Sequence, residues 1–188
     1  MQARIRVERG EGMWSYIYND LYMSFRYLPL GILAAVAVIL LEYTYKKMRH
    51  KPIRWDKMSY ISLFVVYVIA IVQIAYFSRE PGSRSSIDLG LLDTWGQDPM
   101  SRSFVIENVI MFIPFGMLVP AVWDKMRAFH RCLLAAFIST VAIETMQLIT
   151  QRGYCQLDDV VMNTLGGAIG YGIFYLFHKV AKYMHNNF

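Results

Sequence analysis

The sequence predicts an all-α protein: a polytopic transmembrane helical bundle of about five spanning helices, with an N-terminal interfacial helix before them. Three observations predict it. Five apolar runs, each long enough to cross a bilayer as a helix, divide the 188 residues. The composition is 56% hydrophobic and 18% charged, too apolar for a soluble domain of this length, where roughly 25% charged residues is usual. Nearly every polar residue inside the runs falls toward one end of the bundle, whereas the lysines fall at the other.

Met1 to Gly12 is polar, carries Arg4, Arg6 and Arg9, and lacks the apolar stretch of a cleavable signal peptide. Insertion is therefore expected to rely on the first spanning helix. From Met13 to Tyr27, aromatics (Trp14, Tyr16, Tyr18, Tyr22, Phe25, Tyr27) alternate with Asn19, Asp20 and Arg26. Such residues favour the headgroup region, so this stretch predicts an interfacial helix on the outer leaflet that turns in at Pro29. A soluble collar on the bundle fits the same residues. Residues 1–27 thus form an N-terminal segment and 28–188 the membrane bundle.

The first span covers Leu28 to Tyr45, where Glu42 sits near enough to the end to snorkel toward Lys46. The second, Met58 to Ser78, holds no charged residue. The third, fourth and fifth cover Phe104 to Trp123, Cys132 to Thr150 and Val160 to Phe177. Pro114 withholds an N–H and is expected to bend the third. Gly166 and Gly170 in the fifth form a Gly-x-x-x-Gly step that lets another helix approach closely.

The loops orient the bundle. Lys46, Lys47, Arg49, Lys51, Arg54 and Lys57 join the first two spans, Lys125, Arg127 and Arg131 the third and fourth, and Lys179 and Lys182 follow the fifth. By the positive-inside rule these segments and the C-terminus are cytoplasmic, with the N-terminus outside. The net charge of +5 is then a topology signal and a contact to anionic lipid, and no nucleic-acid partner is expected. Cys132 and Cys155 lie about a bilayer apart and should both be free thiols.

Charged and amide side chains converge near the outer end. Arg79 closes the second span, Glu107 and Asn108 open the third, and Glu144 and Gln147 share a face at the end of the fourth, extended by Thr140 and Gln151. Arg152 opens the last loop, Asp158 and Asp159 close it, and Asn163 lies one turn into the fifth span. Asn, Gln and Glu often glue membrane helices, at roughly 1 kcal/mol each, which is the simplest account of any one of them. Packing alone does not ask for three acids and two arginines at one depth. The set Arg79, Asn108, Glu144, Gln147, Arg152, Asp158, Asp159 and Asn163 is therefore the candidate binding site, with Arg79 or Arg152 expected within ion-pair reach of a carboxylate.

The same residues carry a resemblance. Asn108-Val-Ile-Met-Phe-Ile-Pro114-Phe-Gly116-Met-Leu-Val-Pro120, Glu144-Thr-Met-Gln147, and Arg152-Gly-Tyr-Cys-Gln-Leu-Asp158-Asp159-Val-Val-Met-Asn163-Thr-Leu-Gly166-Gly167 resemble the VanZ family of bacterial membrane proteins over roughly residues 79–177. The resemblance implies a multi-pass protein of the bacterial cell membrane associated with resistance to teicoplanin and related lipoglycopeptides. The family's last loop often reads Phe-Asp-x-Asp-Asp. Here Gln156 stands where the first of those carboxylates would be, so a three-acid metal site lacks a member.

Binding asks the least of this set. An outward-facing pocket holding an amphiphile's headgroup suits membrane lipids, a lipoglycopeptide, or an envelope lipid or polymer. The alternative is a membrane-embedded enzyme acting on an envelope lipid or lipid-linked precursor, with Glu144, Asp158 and Asp159 as acid–base candidates. His50, His130, His178 and His185 all fall at the other end, which leaves a histidine-ligated metal or a Ser–His pair without a candidate. No cofactor and no resident metal are expected. Transport would call for charges at the midplane, which this chain lacks.

Overall fold

The computed structural model describes residues 12–77, 79, 82, 86–91, 95 and 98–187. Arg4, Arg6 and Arg9, which bear on orientation, and Ser78, the expected end of the second span, lie outside the described residues.

Helix α1, Met13–Ser24, passes through a 3-10 turn, Phe25–Tyr27, into α2, Leu28–Met48. The junction residues Ser24, Phe25, Tyr27 and Leu28 all keep right-handed helical angles, and Pro29 occupies the first turn of α2, where its missing N–H is harmless. α1 buries Tyr16 and Ile17 and packs against the central helix α4, Pro99–Val122, as a collar would. Trp14, Tyr18, Tyr22 and Phe25 stay exposed, as an interfacial helix would leave them. In α2, Glu42 accepts an ion pair from Lys46 at 2.7 Å, one turn on.

α3, Trp55–Val72, ends in a π turn, Gln73–Phe77. α4 begins five residues before the apolar run does. Asp98 caps it by accepting the Ser101 amide at 2.8 Å, and Pro99 takes the first position. A 3-10 turn, Asp124–Arg127, leads to α5, Phe129–Ile149, and α6, Leu157–Asn187, closes the chain. α6 runs ten residues past Phe177, because the end of an apolar run marks the end of hydrocarbon, not of helix. Five helices are long and apolar enough to cross a membrane.

α4 is the hub, packed on α1, α3, α5 and α6. The core joins Phe112, Phe115 and Val119 of α4 to Ile71 and Ala75 of the α3 end and to Cys132 and Ala136 of α5. Pro114 and Pro120 both lie within α4, and groups from neighbouring helices reach carbonyls close to each. The Tyr67 hydroxyl donates to Met111 O at 3.1 Å, next to Ile110 O, the carbonyl that Pro114 leaves without its N–H. Gly116 O, which an N–H at residue 120 would otherwise satisfy, lies 3.9 Å from the Cys132 thiol, a weak donor.

The seam between α4 and α6 is built on glycine. A Cβ at Gly116 would overlap Gly167 O, one at Gly166 would overlap Val109 O, and one at Gly170 would overlap Ile113 O. The expected Gly-x-x-x-Gly step therefore has its partner: the Val109 to Gly116 stretch of α4.

Candidate functional site

The polar end of the bundle is assembled from α4, α5, α6 and the π turn. Glu144 and Gln147 sit at the end of α5, each 2% exposed. Their three-residue spacing puts both on the buried face, with Thr140 one turn behind. Gln151 does not extend that face. It adopts φ +54°, which ends the helix and turns the side chain out to solvent.

The π turn supplies the first partner. Wider π winding leaves carbonyls outside the regular ladder, and such turns recur at functional sites. Ala75 O accepts Gln147 Nε2 at 2.7 Å, which ties α5 to the end of α3. Tyr76 O and Arg79 O accept Arg152 Nη1 at 3.2 and 2.9 Å, and the same guanidinium lies over the Tyr76 ring, 4.6 Å from its centroid. Arg152 is thus a clamp on backbone carbonyls and an aromatic face. Among the described residues, no ion pair within 4 Å joins Arg79 or Arg152 to Glu144 or Asp159. Charges at a shared depth need not pair when open carbonyls compete for the cation.

Arg79 is the arginine that serves the acids, through its field. It acts electrostatically on both Glu144 and Asp159. Its guanidinium occupies the space beside Gly153, so any Cβ at that position would meet Arg79 Nη1 at 2.5 Å and Gln147 Oε1 at 3.2 Å. Gly153 is a site residue that charge and spacing did not reveal; the close backbone approach is its only signal.

The start of α6 completes the cluster. Asp159 accepts Asn108 Nδ2 at 2.6 Å, joining α6 to α4. Asn163, 1% exposed, donates to Thr140 Oγ1 at 2.8 Å, joining α6 to α5. Asp158 is equally enclosed, at 2%. Glu144 accepts the Gln156 amide at 3.1 Å from a short parallel strand pair, Ile87–Asp88 (β1) with Cys155–Gln156 (β2). The pair brings Ile87 and Asp88 to this end of the bundle. It is too short for alternation to betray it in sequence.

Every candidate residue therefore lands at one end, where two buried amide oxygens stay open. Gln147 Oε1 and Asn163 Oδ1 are buried with no hydrogen-bond partner, while the nitrogens of the same amides donate to Ala75 O and Thr140 Oγ1. Buried acceptors left unmade cost about 1–3 kcal/mol each, so the site is poised for a proton, a water or a ligand group that donates. Glu107 Oε1, toward α1, is likewise unpartnered and feels the charge of Asp20.

The family model described as VanZ/LLP1 matches residues 28–178, starting further toward the N-terminus than the motifs at 79–177 and ending one residue beyond them. Among curated relatives, the Enterococcus faecium protein described as "Protein VanZ" is 32% identical over 75 residues. That match spans 40% of this chain and 46% of the relative, less than half of either. No solved structure matches the chain.

Proposed function

From the premise that this chain belongs to the VanZ/LLP1 family, a multi-pass membrane protein with five apolar helices, we propose that it lowers sensitivity to teicoplanin-type lipoglycopeptides. It does so by binding an envelope lipid, an envelope polymer or the antibiotic at the polar end of the bundle. One observation carries this: Gln147 and Asn163 are enclosed with unpartnered acceptor oxygens, on the same α5 face and α6 turn as Glu144 and Asp159. A purely structural network would be expected to satisfy those oxygens. An arriving hydroxyl, amide or ammonium would do so.

Expressed in a susceptible host, the wild-type chain is expected to raise the teicoplanin concentration needed to stop growth. Glu144→Gln and Asp158→Asn remove charge at constant size, so membrane levels should stay near normal while most protection disappears. Full protection from both variants at normal levels would sink the binding account. The Asp159 charge also acts on Glu144, an arrangement that an acid–base pair would use. An altered lipid or precursor that accumulates with the wild type, and not with Glu144→Gln, would replace binding by catalysis.

The polar end faces outward and the C-terminus lies in the cytoplasm, a proposal supported by every lysine falling at the opposite end. The two free cysteines mark the two ends. Burial first, then the Glu144 and Asp159 charges, push the Cys155 thiol above its ordinary value, which lowers its thiolate fraction at neutral pH. An impermeant thiol reagent on intact cells should therefore label Cys155 slowly near pH 7 and faster as pH rises, with Glu144→Gln accelerating it. Labelling of Cys155 only after the membrane is opened would invert the orientation.

A further inference from the structure

At the end opposite the polar cluster, α3 and α5 flank a cleft of about 280 Å³ whose floor is α4. Phe64 forms one wall, Ala135 and Ser139 the other, and Phe115 and Val119 the floor. Trp123 closes the inner end, set edge-on to Phe64 with centroids 5.0 Å apart, beside Met126. Ser139 supplies the one side-chain hydroxyl among these groups, and an apolar space of this kind stays dry. Its natural filling is hydrocarbon.

The mouth of the cleft is basic. Arg131 precedes Ala135 by four residues and Ser139 by eight, so it continues the same stripe of α5. Lys57 precedes Phe64 by seven, two turns along one face of α3. Lys125 adjoins Met126 and is tied to Arg131 by the Arg131 Nη1 bond to Lys125 O at 3.3 Å. The acids at this end are already matched: Asp56 pairs with Arg54 at 2.9 Å, and Asp124 pairs with Arg127 at 2.8 Å. Asp124 also acts on Arg54, which places the start of α3 beside the Asp124–Arg127 turn. Among the described residues Lys57, Lys125 and Arg131 make no ion pair. Three uncompensated cations thus edge an apolar slot that opens between membrane helices.

We propose that this cleft binds one acyl chain of an anionic phospholipid, with the lipid phosphate held at Lys57, Lys125 and Arg131. The site is separate from the polar cluster and does not depend on the function proposed for it. A zwitterionic lipid offers the same hydrocarbon without the net charge, so the mouth gives selectivity and the slot gives depth.

Trp123 reports occupancy directly. With Trp14, Trp55 and Trp95 changed to Phe, it is the remaining tryptophan of the chain. The full chain is reconstituted in phosphatidylcholine vesicles containing equal small fractions of brominated phosphatidylglycerol or brominated phosphatidylcholine. Stronger quenching by the brominated phosphatidylglycerol is expected. Each basic residue near an anionic membrane surface contributes about a fivefold preference, so Lys125→Gln with Arg131→Gln should remove most of the selectivity. Ala135→Phe, or the milder Ser139→Leu, fills the slot and should reduce quenching by both lipids to the level of bulk contact. Equal quenching by the two lipids overturns the proposal. So does selectivity that survives the charge removal, or quenching that neither filling variant changes.

Discussion

Valine at Gly116, Gly166 or Gly170 is expected to stop the protein accumulating in the membrane. At each position the new side chain would run into a backbone carbonyl of the facing helix, at Gly167, Val109 and Ile113 respectively. A flexible side chain could swing away; a carbonyl held in a helical ladder cannot. Relief requires α4 and α6 to separate along their whole seam. Overpacking of a close-packed interior costs about 1–3 kcal/mol per site, more when the obstacle is backbone. α4 also carries Asn108 and α6 carries Asp159 and Asn163, so separating them dismantles the polar end too. Gly172 is the internal control, because nothing lies within 4 Å of a Cβ there. Gly172→Val should accumulate normally. Blue-native gels and membrane immunoblots of the four variants give the result, and normal levels for Gly116→Val would show that the seam is looser than described.

Asn108→Leu is expected to destabilise the bundle strongly, and Asp159→Leu added to it to restore part of the loss. Asp159 is enclosed, and Asn108 reaches it at 2.6 Å from another helix. Hydrogen bonds to charged groups contribute about 1.5–3 kcal/mol, and removing the donor leaves the carboxylate buried without it. Removing both partners takes away the interaction together with the uncompensated group, so the double variant should lose less than the sum of the singles. Thermal unfolding of the purified protein in detergent measures the cycle. Strict additivity would mean that Asn108 and Asp159 are not energetically coupled.

The amino-acid order alone settled a great deal here. Hydrocarbon thickness selects apolar runs of a certain length, so the five spans were visible from Leu28 onward, with boundaries five residues short at the start of α4 and ten at the end of α6. Depth along a span is also one-dimensional, which is why Glu144, Gln147, Asp158, Asp159 and Asn163 could be placed at one end together. Helix periodicity put Glu144 and Gln147 on one face and Gly166 and Gly170 on another.

What a side chain meets depends on how helices cross and where the backbone departs from its ladder, and neither is written in spacing. The π turn opened Ala75 O and Tyr76 O, and those carbonyls captured Gln147 and Arg152. Arg152 therefore left the acids to the field of Arg79. A positive φ turned Gln151 out of the cluster, and the crossing of α4 over α6 chose Gly116 as the partner of Gly167. The sequence determined which groups share a depth because burial in a membrane follows one coordinate. Only the tertiary structure decided which of them touch, because contact requires rotation, crossing and open backbone groups to coincide.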